Sequence, residues 1–160
     1  VALAAQAHQA KPLSLLRPAM PDAACDAAAN AALQRVGLEH RGGALASALA
    51  HGEKRALEVA MALAAQPRLI LLDEPLAGMG REEGRAMTQL IASLKRGKDA
   101  SGEDAPAILL IEHDMEAVFA LADRVSVLVA GRIVASGTPD EVRADPAVKA
   151  AYLGEHGVAS

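Results

Sequence analysis

The sequence has 160 residues, enough for one domain with a sizeable core. Hydrophobic residues make up 52% and charged residues 22%, a globular balance and not that of a disordered chain. The formal net charge is −4 and the only aromatic residues are Phe119 and Tyr152, which excludes a basic footprint for nucleic acid and an aromatic platform for single strands.

Along the chain, Val1 to Ala10 reads as the end of a helix, stopped at Lys11-Pro12. It lacks a basic leader and a cleavage site, so no signal peptide is expected. A loop carrying Pro12, Pro18 and Pro21 follows. Asp22 suits the N-cap of an Ala-rich helix from Ala23 to Val36, which Gly37 ends. Cys25 on that helix reads as a small buried filler. A single cysteine makes no internal disulfide, no Cys/His cluster has zinc spacing, and the composition fits a reducing compartment. After the break at Arg41-Gly42-Gly43, Leu49 to Glu53 leads into a helix over Lys54 to Ala65, with Leu57, Met61 and Ala64 on one stripe. Gln66-Pro67 stops it.

The character then changes. Leu69 to Leu72 and Ala107 to Ile111 are short, continuous apolar runs that suit strands buried on both faces, as in a parallel sheet. Between them, Glu82 to Lys95 is long enough for a crossover helix, with Met87, Ile91 and Leu94 spaced to face the sheet and Glu82-Glu83 in its first turn. Met115 to Ala122 reads as another helix. Arg124 to Ala130 and Arg132 to Ser136 read as two strands joined at Ala130-Gly131. Pro139 opens a short helix to Ala144, and Asp145-Pro146 opens a last one to Leu153. The expected organisation is a helical part over residues 1–66 and an α/β part with a helical tail over residues 67–160. No apolar run approaches the roughly 20 residues a membrane span needs.

Three places carry chemistry. Asp73 and Glu74 end the first apolar run, where open α/β sheets bind ligands beyond the strands' carboxyl ends. Adjacent carboxylates there face opposite sides, so one can hold Mg²⁺ through water while the other addresses a nucleophilic water. A solvated turn punctuated by Pro75 is the other reading of the acids alone. His113 ends the second run, where an imidazole can hydrogen-bond a phosphate or orient a water, or simply partner Asp114 at a helix start. Leu49-Ala50-His51-Gly52-Glu53 places a glycine at a helix start, whose bare N–H groups and dipole favour an anion. A plain glycine near an N-cap is the alternative there.

In order and spacing, Leu49-Ala50-His51-Gly52-Glu53, Leu69 to Glu74 with Pro75, and His113 resemble the signature, Walker B and switch-histidine motifs of ABC-type ATPases. Ile111-Glu112-His113-Asp114-Met115, Leu121-Ala122-Asp123-Arg124, Gly137-Thr138-Pro139 and Ala151-Tyr152-Leu153-Gly154 look most like the ATPases of branched-chain amino-acid importers, with the lipopolysaccharide-export ATPase as nearest rival. The resemblance implies the C-terminal part of a P-loop, RecA-like ABC ATPase domain, with parallel strands preceded by part of the helical signature subdomain. It implies ATP and Mg²⁺ as cofactors, Asp73 supporting the metal through water, Glu74 as general base and His113 at the γ-phosphate. It implies that Leu49, Ala50, His51, Gly52 and Glu53 address the ATP of a second ATPase subunit. Transmembrane permease subunits would be the other partners, with no nucleic acid, at the cytoplasmic face of the inner membrane.

Two features depart from that family. The signature usually has Ser where Ala50 stands, and the segment after Pro75 usually ends in Asp where Gly80 stands. The 160 residues also contain no Gly-x-x-x-x-Gly-Lys followed by Ser or Thr; the one Gly-Lys step, Gly97-Lys98, is followed by Asp99. The family carries that loop, and a glutamine loop, N-terminal to the helical segment. The chain, which starts with Val, is therefore expected to be the later portion of a longer ATPase and inactive alone. A catalytically silent or regulatory module is the competing expectation, and a DNA-repair or translation ATPase is disfavoured by the acidic balance. His8, His40 and His156 have no partners at ligand spacing, and the methionines read as packing.

Overall fold

The computed structural model describes residues 1–9, 23–95 and 105–156. The expectations for the Pro12–Pro21 loop, the Asp22 cap and Gly97-Lys98 fall outside those residues. By packing, the chain divides into two compact units, Val1–Ile111 and Glu112–Ser160.

The first unit opens with α1 (Ala2–Gln9), α2 (Ala23–Arg35) and α3 (His51–Ala64), with short 3₁₀ turns at Glu39–Arg41 and Ala46–Ala48 between α2 and α3. All three helices pack on one another. The α2 face is Cys25, Ala29, Ala32 and Leu33, so Cys25 is a buried filler as expected. On α3 the buried face is Ala56, Val59, Ala60, Leu63 and Ala64, whereas Met61 is exposed and Leu57 only half-buried. The expected Leu57–Met61–Ala64 stripe is thus rotated. Larger residues share the buried face with alanines: Val59 and Leu63 lie buried beside Ala56, Ala60 and Ala64.

Gln66, in left-handed backbone at φ 48°, turns the chain out of α3 into β1 (Leu69–Asp73). Then come α4 (Arg81–Leu94) and β2 (Ala107–Ile111), which completes a βαβ unit. The two strands pair in parallel, with Leu69 opposite Ala107 and Asp73 opposite Ile111. Met87, Ile91 and Leu94 are the buried residues of α4, as their spacing predicts. One face of the strand pair is covered and the other is open. Ile70 is buried, but the alternate positions Leu69, Leu71, Leu109 and Ile111 lie on an open face, with Leu71 67% exposed. Covering such a side chain fully gains roughly 1.5–3 kcal/mol. The continuous apolar runs therefore suit a sheet with more cover than the described residues supply.

The second unit holds α5 (Met115–Leu121), an antiparallel hairpin of β3 (Val125–Val129) and β4 (Arg132–Gly137), then α6 (Pro139–Ala144) and α7 (Pro146–His156). The two-residue turn has positive φ at both Ala130 (47°) and Gly131 (78°), the arrangement whose twist matches paired strands. Val125, Ala135, Val142 and Val148 form its core, and the Arg143 guanidinium lies 4.6 Å from the Phe119 ring centre.

Two helix starts use the same device. At α6, Thr138 N–H donates to Glu141 (2.8 Å) while Glu141 N–H donates back to the Thr138 hydroxyl (3.4 Å), a reciprocal cap. At α3, Ala50 N–H donates to Glu53 (2.8 Å), but Ala50 has no oxygen to return the bond. Ala50→Ser is expected to complete that cap and raise the stability of the first unit by about 1 kcal/mol, read as a shift in urea midpoint. The Ala50 amide holds the Glu53 carboxyl below its ordinary range, helped by the Arg41 charge and opposed by desolvation. The Thr138 amide does the same for Glu141. A lowered native pKa means that the unfolded chain takes up protons first. The stabilisation is therefore complete above the ordinary glutamate range and is lost as pH falls through the lowered values. Acid titration of the urea midpoint should fall more steeply for the native sequence than for Glu53→Gln with Glu141→Gln; equal slopes would contradict this.

Candidate functional site

The carboxyl end of β1 carries the acid pair. Asp73 is the last residue of the strand, exposed, and opposite Ile111 on β2. Glu74 leaves the strand in left-handed backbone, φ 45°, which costs a non-glycine residue roughly 1–2 kcal/mol. Neighbouring hydrogen bonds hold it there. Its N–H donates to the Ile111 carbonyl at 2.8 Å, and its own carbonyl accepts the Ala77 N–H at 3.0 Å. Pro75 is buried beneath this turn. The strand geometry thus ends at Asp73, and the turn, more than strand alternation, sets Glu74 apart from it. Strain of this kind persists where the surroundings over-determine it, and is common where a side chain must be aimed.

The Leu49–Glu53 segment is also in the first unit. Leu49 is buried and anchors it, Ala50 is the N-cap of α3, and His51, Gly52 and Glu53 form the first turn. Glu53 is held from a second side. Arg41 Nε lies 3.2 Å from Glu53 Oε1, and Arg41 Nη2 donates to Glu53 Oε2 (3.4 Å) and to the Ala48 carbonyl (3.3 Å). The guanidinium therefore ties the loop before the helix to its first turn. Gly52 is tightly placed: a Cβ there would come 3.3 Å from Glu83 Oε1 on α4. His51 Nε2 is 3.4 Å from the Ala77 carbonyl oxygen, in the turn that follows Glu74. The structure thus brings Leu49–Glu53 onto the segment downstream of the acid pair.

His113 lies in the second unit, two residues after the end of β2. Its Nδ1 is 3.9 Å from Glu112 Oε2, and its side chain is 75% exposed whereas that of Glu112 is only 1% exposed. The His113 N–H donates to the same Glu112 oxygen at 3.2 Å. Asp114 caps α5, accepting from Glu116 N–H (3.0 Å) and Ala117 N–H (3.2 Å). Its carboxylate serves the helix, so the Asp114 partnership considered for His113 gives way to Glu112. Among the described residues no three His, Cys, Asp or Glu side chains cluster as a metal site, and no helix is long and apolar enough to cross a membrane.

Arg41, Glu83 and Glu112 were not singled out by sequence. Arg41 precedes a Gly-Gly break that reads as loop, and Glu83 reads as an ordinary acid of a first helical turn. Neither position advertises its tertiary partner. Glu112 stands inside a quoted motif, but its burial has no sequence signal.

Comparison with known proteins agrees with the motif pattern. A family profile described as "ABC transporter" matches residues 1–77, and one described as "Branched-chain amino acid ATP-binding cassette transporter" matches residues 132–158. The high-affinity branched-chain amino acid transport ATP-binding protein LivG of Salmonella typhimurium is 42% identical over 123 residues, 77% of this chain and 46% of its own. The lipopolysaccharide export system ATP-binding protein LptB of Escherichia coli is 33% identical over 127 residues, 79% of this chain and 50% of its own. The chain thus spans about half the length of these curated relatives. Among solved structures, an ATP-binding cassette of an ABC transporter in its ADP conformation superposes with a TM-score of 0.73 at 25% identity, over 96% of this chain and 61% of that one. With two profiles covering most of the chain, a 42% identical relative and the same fold, the chain belongs to the ATP-binding family of ABC transporters.

Proposed function

We propose that this chain is the signature and hydrolytic portion of an ATP-hydrolysing subunit that powers an import transporter for branched-chain or similar hydrophobic amino acids. The observation that carries the reading is the acid pair at the carboxyl end of a parallel strand, in a chain 42% identical to LivG. The branched-chain match at residues 132–158 favours this side of the family over lipopolysaccharide export. Residues 1–66 would belong to the helical signature subdomain and residues 67–160 to the α/β core with its helical tail. The partners would be a second ATPase subunit and permease subunits, at the cytoplasmic face of the inner membrane. The phosphate loop would come from sequence outside these 160 residues.

The donor set fits the metal. Mg²⁺ keeps most of its positions for water and phosphate oxygens, so it asks for one or two carboxylates and no dedicated cage. Asp73, exposed at the strand end, is such a carboxylate and would support the metal through water. When bound, Mg²⁺ neutralises charge on the phosphoryl oxygens. Glu74 would accept the proton of the attacking water, its backbone held by the Ile111 and Ala77 hydrogen bonds. By the family resemblance, His113 would hydrogen-bond a phosphoryl oxygen. Leu49 to Glu53 offers backbone N–H groups to the nucleotide of the second subunit, with Ala50 contributing no hydroxyl.

Alone, the 160-residue chain is expected to show no magnesium-dependent ATP turnover. Fused in frame behind the N-terminal half of LivG, it is expected to turn over ATP, and Glu74→Gln should lower that rate by roughly 10²–10⁴-fold. Phosphate release by the fusion and its variant is the measurement. Turnover that Glu74→Gln leaves unchanged would sink the role of Glu74. Glu74-dependent turnover by the chain alone would sink the division of the site.

A further inference from the structure

We propose that His51 is a positioning residue that braces the turn carrying Glu74, within its own subunit. Its consequence for catalysis rests on the reading of Glu74 as the base; the brace itself does not.

The first turn of α3 meets the segment after Glu74 at its middle and meets the helix start that ends it. In the middle, His51 Nε2 lies 3.4 Å from the Ala77 carbonyl oxygen. A carbonyl only accepts, so Nε2 carries the proton in this contact. The Ala77 N–H in turn donates to the Glu74 carbonyl at 3.0 Å. The imidazole, Ala77 and Glu74 thus form one hydrogen-bonded series. Gly78 comes next, at φ 74°, and a Cβ there would stand 3.4 Å from the same His51 nitrogen. The left-handed backbone suits glycine and lets the chain run beside the ring.

At the far end, Gly52 lies against Glu83, where a Cβ would approach Oε1 to 3.3 Å. Glu83 accepts the Gly80 N–H at 3.4 Å, which closes the segment onto the start of α4. Two adjacent residues of α3 therefore lie against the middle of the turn and against the helix start that follows it.

Glu74 needs such support. Its left-handed backbone is unfavourable for a residue with a side chain, and it is anchored on its N–H side by Ile111. On the carbonyl side it is held by Ala77, which His51 touches from outside the turn. The contact is long and exposed, so its effect on the turn is modest. The imidazole then does something separate from the backbone N–H groups of its own helix start: it couples that helix start to the orientation of Glu74.

Amide hydrogen exchange on the full chain without nucleotide tests this. The reporters are the Ala77 amide and the Met79 amide, which donates to the Leu76 carbonyl at 3.2 Å; Ala60 and Leu63 within α3 serve as references. His51→Phe keeps a ring and removes the donor, and should speed exchange at Ala77 and Met79 roughly five-fold with the references unchanged. His51→Gln restores an N–H donor and should return both amides to within about two-fold of the native sequence. Unchanged exchange in His51→Phe, equal acceleration at the α3 references, or no rescue by His51→Gln would each overturn the brace. None of these outcomes bears on the Glu74→Gln rate of the fusion, so the two readings fail separately.

Discussion

The parallel register of β1 and β2 is the constraint on which the candidate site depends. It sets Asp73 opposite Ile111, and it puts the Ile111 carbonyl where the Glu74 N–H reaches it at 2.8 Å. A slip of one residue would turn Asp73 to the other face of the sheet and take that carbonyl away from Glu74. The left-handed kink at Glu74 would then lose its anchor, and the turn to Gly80 would lose its starting direction. Two acids adjacent in sequence thus become two differently aimed groups because one ends a paired strand and the other begins a strained turn.

Around that turn, the first unit uses its helix starts as fasteners. Glu53 caps the Ala50 amide and is gripped by Arg41, and Glu83 caps the Gly80 amide and abuts Gly52. Acids at the third position of a helix satisfy amides that the helix leaves unpaired, and they suit the dipole there. The same acids lock the loops that precede the helices. The segment that resembles an ABC signature is thereby joined to the segment downstream of the acid pair through side chains and not through the sheet alone. Ala50 leaves its own cap half made, and Arg41 holds Glu53 from the other side.

Much of this was legible in the sequence. The βαβ unit was, because two four- or five-residue apolar runs flank a helix with Met87, Ile91 and Leu94 on one stripe. The hairpin was, because Ala130-Gly131 separates two β-rich runs. The acid pair and the Leu49–Glu53 segment were, because their order and spacing are specific in combination. The α3 stripe was legible only in part: Ala64 is buried as expected, but the face runs through Ala56, Val59, Ala60 and Leu63 and leaves Met61 exposed, because apolar residues on several sides of the helix leave periodicity little to choose between. How much of each strand face is covered was not legible, because a continuous apolar run does not say how many neighbours a sheet has: Ile70 is buried while Leu71 and Leu109 lie open.

By itself the sequence determined which elements form and which residues are chemically able to hold a metal, take a proton or present amides, since these follow from local spacing and side-chain type. It also determined the family, through motifs whose order survives any change of contact. Only tertiary structure decided the left-handed state of Glu74, the Arg41 grip on Glu53, the approach of His51 to Ala77 and the burial of Glu112. Each joins or shields residues through packing that no local pattern encodes, and a single residue's φ or exposure answers to neighbours brought in from distant parts of the chain.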